Sequence, residues 1–300
     1  MAFTGLFVPL ITPFTATDVL AEDALEALAH AVLDEGATGI VALGTTGEPA
    51  TLTPGERRRV LNICTAVCAE RDAPLIVGAG SNSTAASVDA LAELTSPVSA
   101  ALVVVPYYTR PSEEGVVEHF RQLAAASPVP LVIYNIPYRT GRTLSAETLV
   151  RLAELPNVAG FKHAVGGIDE DTMTFLSRVP DDVSVLAGDD LYAGPMLALG
   201  AAGAILASAN VATRAYADLL TAWQAGDVVR ARKLVHQVTP LSRALFAEPN
   251  PVVIKAVLAA QGRIPTGHAR LPLLPADPKT AATALHAATA TAPMLVAAGK

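Results

Sequence analysis

Residues 130–163 have the sequence PLVIYNIPYRTGRTLSAETLVRLAELPNVAGFKH. Two short apolar runs, beginning near Leu131 and Val158, enclose a segment in which Ser145 is a plausible helix cap. Neither run alternates apolar with polar residues, which is typical of strands that are buried on both faces. The stretch therefore predicts one strand–helix–strand unit of a parallel sheet.

The same unit repeats along the chain. Similar apolar runs begin near Leu6, Gly39, Pro74, Ala101, Leu131, Val158, Val183 and Gly203. Eight consecutive units favour a closed parallel barrel over an open doubly wound sheet, although the periodicity alone allows both. We predict an α/β fold, a (β/α)₈ TIM barrel over residues 1–222 with a C-terminal helical region over residues 223–300 packed on it. After about Ala215 we expect helix through Phe246, then again from Val252 to Gln261 and from Thr280 to Ala292.

The composition excludes several classes of protein. The chain is 51% hydrophobic and 16% charged, which is a core-forming composition and not a disordered one. Its formal net charge of −7 at pH 7 argues against binding to nucleic acid, which requires a basic face. Residues 191–213 lack charge, but Pro195 and Gly200 interrupt them, so a short helix, a turn and a buried strand explain them better than a membrane span.

The cysteines and histidines predict neither a disulfide framework nor a metal site. Cys64 and Cys68 have the spacing of core residues on a helix, which we expect in a cytoplasmic protein. Of the six histidines only His163 is near the predicted barrel mouth, and its strand parity directs it away from Lys162. Asp189 and Asp190 could bind a cation, but nothing in the sequence supplies a full set of metal ligands, so we expect them to have structural or hydrogen-bonding roles.

The loops that follow the strands of a barrel build its active site. In this chain those loops and strand ends carry Thr45, Thr46, Tyr108, Tyr134, Lys162 and Gly188. Lys162 ends an apolar strand, where a desolvated amine can attack a carbonyl group, although a strand-end lysine can also simply reach solvent. Tyr134 ends the neighbouring strand and could transfer protons or only pack. The glycine-bounded turn at Thr45 and Thr46 suits a carboxylate, as many turns do.

Together these residues resemble the dihydrodipicolinate synthase/N-acetylneuraminate lyase family. The resemblance extends from Gly5 to about Pro275. The matching segments, in chain order, are GTTGE (44–48), PYYTRP (106–111), YNIPYRTG (134–141), GFK (160–162), GDD (188–190) and EPNP (248–251).

The resemblance implies a pyruvate-dependent aldolase reaction. By it Lys162 forms a Schiff base with pyruvate, and Tyr134, Thr45 and Tyr108 form a hydroxyl relay in which the last tyrosine comes from a neighbouring subunit. The residues implied to bind substrates are Thr46 for the pyruvate carboxylate, Ile205 and Gly188 in the pocket, and Arg139 for the second substrate. No cofactor is implied beyond the covalent imine with pyruvate, and no metal.

Arg139 also indicates which aldehyde is used. It suits a short aldehyde that bears a carboxylate, so the family resemblance implies L-aspartate 4-semialdehyde as the partner of pyruvate, in lysine and diaminopimelate biosynthesis. Other members cleave sialic acid or keto-deoxy sugar acids, and these stay as alternatives, as does a paralogue that only binds a keto acid. The residue after the lysine is His163, where synthases commonly have an acidic residue. We expect a homotetramer built from tight dimers.

Overall fold

The computed structural model describes residues 3–94 and 97–291. Its eight parallel strands form a closed barrel in the order of the chain, as predicted. They are β1 (Gly5–Pro9), β2 (Gly39–Ala42), β3 (Leu75–Gly78), β4 (Ala100–Val104), β5 (Leu131–Asn135), β6 (Val158–His163), β7 (Ser184–Ala187) and β8 (Gly203–Ile205). Each begins within one residue of a predicted apolar run, and nearly all strand residues are buried.

Helices connect the strands and continue after the last one. The helices up to β8 are α1 (Glu22–Asp34), α2 (Pro54–Glu70), α3 (Thr84–Ala92), α4 (Glu113–Ala126), α5 (Pro137–Thr140), α6 (Ala146–Ala153), α7 (Glu170–Arg178) and α8 (Ala193–Ala198). After β8 come α9 (Ala209–Gln224), α10 (Val228–Leu245), α11 (Val252–Ala260) and α12 (Pro278–Thr291). Among the described residues no helix is long and apolar enough to cross a membrane.

Local signals set several helix starts, including the one predicted at Ser145. Thr53 caps α2 in a reciprocal capping box with Glu56, with Pro54 at the first helical position. The hydroxyls of Ser112 and Ser145 accept backbone N–H bonds at the starts of α4 and α6. These caps satisfy N–H groups that have no partner inside the helix.

The long helix predicted from Ala215 through Phe246 is wrong in one respect, because the chain breaks between α9 and α10. Gly226 has a φ of +72°. This left-handed conformation ends a helix, and glycine adopts it without steric cost. Asp227 then caps α10 by accepting the N–H of Arg230 at 3.0 Å. The predicted end of the last helix, Ala292, lies outside the described residues, and the predicted division at residue 222 stays a prediction.

Packing groups the residues into two compact units. One contains Leu75–Ile205 with the first residues of the chain, and the other contains Leu6–Pro74 with the residues from Leu206 onward. The first unit carries β3 to β8, in which β5 and β6 pair Tyr134 with Lys162 and Asn135 with His163. The second carries β1, β2 and the helices that follow β8.

A buried ion pair joins distant parts of the second unit. Lys255 on α11 is fully buried, and its Nζ donates to Oε1 of Glu48 at 2.6 Å. The ammonium also lies 4.2 Å from the ring centroid of Phe14. The other carboxylate oxygen of Glu48 accepts the backbone N–H of Arg270 at 3.0 Å. Each charged group therefore has hydrogen-bonding partners inside the protein, which offsets the cost of its burial.

We predict that Lys255→Met destabilises the protein by about 3–5 kcal/mol, because the carboxylate of Glu48 would stay buried without its ammonium partner. Equilibrium unfolding in guanidinium chloride measures the change. Lys233→Met is the matched control, since Lys233 is an exposed lysine on α10, and we expect it to change stability by no more than about 0.5 kcal/mol. A loss below about 1 kcal/mol in Lys255→Met would contradict a structural role for the pair.

Candidate active site

Lys162 and Tyr134 lie side by side at the ends of two neighbouring strands. The register of β5 and β6 pairs the two residues directly, so their side chains emerge on the same face of the sheet. Both side chains are buried, and the Nζ atom of Lys162 is 4.3 Å from the centroid of the Tyr134 ring. An amine and a phenol are thus brought together, as the sequence predicted.

Burial lowers the pKa of Lys162 from 10.5 to about 8. Asp190 and Asp189 oppose this shift through their negative charges, and Arg139 adds slightly to it. With a pKa of about 8, on the order of one molecule in ten carries a neutral amine at pH 7. A neutral amine has a free electron pair, which attack on a carbonyl carbon requires.

The phenol of Tyr134 stays protonated at neutral pH. Burial is the main cause that raises its pKa above the usual value of 10, and the nearby Tyr138, Asp189 and Asp190 raise it further, against the opposing charge of Arg139. A neutral phenol can donate its proton and accept another on the same oxygen. Tyr134 is therefore suited to proton transfer beside the amine.

Gly188 leaves room for the lysine side chain. A Cβ atom at this position would lie 2.8 Å from Cγ of Lys162 and 2.8 Å from Cβ of Ala164. Both distances are well below normal carbon–carbon contact. The absence of a side chain at Gly188 thus allows Lys162 its extended path, which explains a glycine at the end of this strand.

Asp189 connects the loops after β5, β6 and β7. One of its carboxylate oxygens accepts the hydroxyl of Tyr138 at 3.0 Å, and the other accepts the backbone N–H of Gly166 at 2.7 Å. The hydrogen-bonding role expected for Asp189 is confirmed. Tyr138 belongs to the matching segment 134–141, but nothing local indicates that it meets a residue 51 positions later.

Arg139 is exposed on the short helix α5, and its charge acts on both Tyr134 and Lys162. The helix ends at Gly141, whose φ is +71°. A Cβ atom there would lie 2.7 Å from Nε of Arg110, so the glycine also permits close approach of that guanidinium. The side chain of Arg139 is therefore accessible, and its charge reaches the amine of Lys162.

Tyr108 is not packed against the Lys162–Tyr134 pair in this chain. Its side chain is 88% exposed, and its backbone has a φ of +69°, which is uncommon for a residue other than glycine. Such a conformation costs free energy and is often kept for a functional reason. The loop presents an aromatic hydroxyl outward instead of burying it.

In the second unit, Thr45 and Thr46 form a short 3-10 turn after β2. Thr45 is exposed and Thr46 is buried. The Oγ1 of Thr46 accepts the side-chain N–H of Asn250 at 3.0 Å. Asn250 belongs to a segment that the sequence singled out, but its contact with Thr46 could not be predicted from residues 204 positions apart.

Two further residues have the positions that the sequence indicated. Ile205 is fully buried at the end of β8. His163 faces the helices, as expected, because its Nε2 lies 3.0 Å from Oγ1 of Thr172 on α7. Burial lowers the pKa of His163 to about 4, so its ring is neutral at physiological pH.

The described residues contain no group of three or more candidate metal ligands.

Comparison with known proteins identifies the family. The sequence profile of the Dihydrodipicolinate synthetase family matches residues 2–291. The chain belongs to this family. It is similar to the 4-hydroxy-tetrahydrodipicolinate synthase of Moorella thermoacetica, with 40% identity over 91% of this chain and 93% of that protein.

Solved structures of the same family share the fold. The 4-hydroxy-tetrahydrodipicolinate synthase of Methylacidiphilum fumariolicum SolV is 33% identical with a TM-score of 0.93, covering 98% of each chain. The dihydrodipicolinate synthase of Acinetobacter baumannii, solved in complex with pyruvate, is 35% identical with a TM-score of 0.91 over 96% of this chain and 98% of that one.

In this member of the dihydrodipicolinate synthetase family, we expect the buried amine of Lys162 to titrate at a lower pH than an ordinary lysine. Because burial lowers the pKa of Lys162 to about 8, its amine should lose a proton as the pH rises through about 8. The chain has only five lysines, so nuclear magnetic resonance of ¹³Cε-labelled lysine can follow each one. Lys162→Ala would assign the resonance. A midpoint close to 10.5, the ordinary value, would contradict the desolvation argument.

Proposed function

We propose that this chain condenses pyruvate with L-aspartate 4-semialdehyde to give 4-hydroxy-tetrahydrodipicolinate, a reaction of lysine and diaminopimelate biosynthesis. The observation that carries the proposal is the buried Lys162, whose amine has a lowered pKa and lies beside the Tyr134 phenol. The relative and the solved structures named above are called 4-hydroxy-tetrahydrodipicolinate synthase or dihydrodipicolinate synthase. A lysine with a lowered pKa is suited to nucleophilic attack on a keto acid.

The chemistry proceeds through a covalent imine. The neutral amine of Lys162 adds to C2 of pyruvate, and the keto oxygen leaves as water. The iminium accepts the electron pair that remains when the methyl group loses a proton, which gives an enamine. The enamine carbon forms a bond to the aldehyde carbon, and the aldehyde oxygen takes a proton. The amino group of the second substrate then displaces Lys162 from C2 and closes the ring.

Hydroxyl groups carry the protons in this scheme. Tyr134 lies beside the amine that becomes the iminium, and it keeps its proton at neutral pH because burial raises its pKa. Thr45 and Tyr108 complete a relay toward solvent. A relay of neutral hydroxyls suits the site, because it adds no further negative charge to those of Asp189 and Asp190, which already favour the protonated amine of Lys162.

Thr46 binds the carboxylate of pyruvate, and Ile205 and Gly188 shape the pocket around its methyl and keto groups. Thr46 lies in a turn whose hydroxyls and N–H groups suit an anion. Ile205 contributes an apolar, fully buried side chain. Gly188 keeps space beside the Lys162 stem, where any larger residue would contact Cγ. The proposed pocket thus needs no cofactor, because the iminium is itself the electron sink.

Arg139 selects the aldehyde. Its guanidinium is exposed, and its charge acts on the amine of Lys162. Arginine binds carboxylates in a bidentate manner. This favours a short aldehyde with a carboxylate over a sugar acid, and the relative from Moorella thermoacetica is named as a synthase and not as a sugar-acid lyase.

The proposal includes an assembly and a compartment. The left-handed backbone and 88% exposure of Tyr108 support a role in the site of a neighbouring subunit, within a homotetramer built from tight dimers. Both cysteines are buried free thiols, which suits the reducing cytoplasm.

Borohydride trapping tests the imine. With pyruvate present, reduction should attach the pyruvate carbon skeleton to Lys162 of the wild-type chain, as located by peptide mass spectrometry. Lys162→Ala should give no adduct, and Lys162→Arg should give none because guanidinium is a poor nucleophile. Lys233→Met is the control and should trap as wild type does. An adduct on Lys255, or none in the wild type, would overturn the proposed mechanism.

A second prediction concerns specificity. Arg139→Ala should lower kcat/KM for L-aspartate 4-semialdehyde by about tenfold to a hundredfold, the loss of one charge-assisted bidentate contact. Pyruvate trapping at Lys162 should change little. Steady-state kinetics with both substrates varied, together with the trapping assay, measures the two effects. Equal losses for both substrates would show that Arg139 has a structural role instead.

A further inference from the structure

Asn250 contacts the turn that carries the predicted pyruvate-binding residue. It lies just before α11, and its Nδ2 donates to Oγ1 of Thr46 at 3.0 Å. A threonine hydroxyl has one proton and two acceptor positions. When Oγ1 accepts the amide N–H, the hydroxyl proton is not used in that bond and is available for another acceptor. Thr46 is thereby prepared as a donor.

The turn is held at its far end by the buried ion pair. Glu48 ends the 3-10 turn that begins at Thr45, with a left-handed backbone of φ 52° and ψ 41°. Its carboxylate accepts from Lys255 on α11 and from the backbone of Arg270. A strained conformation of this kind persists when side-chain contacts define it.

A third contact holds the middle of the turn. The hydroxyl of the buried Thr12 donates to the carbonyl oxygen of Gly47 at 2.7 Å. The turn is therefore bonded at Thr46, Gly47 and Glu48, and two of these bonds come from the segment that contains Asn250 and Lys255. With the backbone held in this way, the Asn250 amide acts on a hydroxyl whose position is already defined.

We infer that Asn250 is a positioning residue for pyruvate: its amide holds the Thr46 hydroxyl so that the hydroxyl proton points to the substrate carboxylate. The inference rests on the proposed function, in which Thr46 binds that carboxylate. Asn250 does not touch the reacting atoms and acts through Thr46. The role requires a donor at this position, and an acceptor would take the hydroxyl proton for itself.

The variant Asn250→Asp replaces the hydrogen-bond donor at this position with an acceptor of nearly the same shape. The introduced carboxylate would accept the Thr46 hydroxyl proton and would also repel the pyruvate carboxylate. We expect KM for pyruvate to rise at least about tenfold, with kcat changed by less than about threefold. Asn250→Ala removes the donor without adding charge and should raise KM by about threefold to tenfold. Asn62→Asp, on the exposed face of α2, adds the same charge elsewhere and should leave both values unchanged.

The dependence on pH distinguishes positioning from a structural effect. A protonated carboxyl group can donate to Thr46 as the amide does. Pyruvate affinity in Asn250→Asp should therefore recover as the pH falls through the pKa of the introduced group, whereas Asn250→Ala should show no such recovery. Half-saturation of borohydride trapping by pyruvate gives the affinity without the second substrate.

The outcomes separate this inference from the proposed function. A wild-type chain that is not trapped at Lys162 overturns the proposed function, and the inference with it. A trapped wild type with unchanged half-saturation in both Asn250 variants overturns the inference alone. So does a loss in Asn250→Asp that does not recover at low pH. Thermal unfolding checks each variant, and failure of both Asn250 variants to fold, with Asn62→Asp folded, would make Asn250 a structural residue.

Discussion

The loss of hydration at the amine of Lys162 is the constraint on which the site depends. An ammonium ion is strongly solvated in water, and a buried position at the end of β6 removes most of that solvation. The protonated form is therefore disfavoured, and the pKa of Lys162 falls to about 8. The barrel provides this environment because its strands are buried on both faces. The surrounding charges of Asp189, Asp190 and Arg139 modify the shift without reversing it.

A second buried lysine shows how much the partner matters. Lys255 is even less exposed than Lys162, but its ammonium is paired with Glu48 at 2.6 Å and lies over the ring of Phe14. Lys162 instead has its Nζ atom 4.3 Å from the centroid of the Tyr134 ring, and Asp189 and Asp190 act on it through their charges. The same residue type thus serves as a structural cation in one place and as a candidate nucleophile in the other. What distinguishes Lys255 is its direct hydrogen bond to the carboxylate of Glu48.

Small residues and amides complete the arrangement around these two lysines. Gly188 leaves the stem of Lys162 its space, and Asp189 ties the loops on either side. In the second unit, Asn250 and Thr12 hold the turn of Thr46. Side chains that do not take part in a reaction commonly determine the positions of those that do. Rotamers and hydroxyl orientations vary unless packing or a hydrogen bond defines them. The family likeness accounts for the residues of the site, and these contacts account for their placement.

The sequence by itself determined the barrel, the starts of its strands and several helix caps, because hydrophobic periodicity and capping act over a few residues. It also singled out Lys162 and Tyr134, since polar side chains at the ends of buried strands share one face. It did not place the break at Gly226, where one glycine in a helical pattern is an ambiguous signal. Only the tertiary structure decided that Lys255 meets Glu48, 207 positions away, and that Asn250 meets Thr46, 204 positions away. Such contacts, and the burial that shifts the pKa of Lys162, depend on packing between distant segments, which no local pattern encodes.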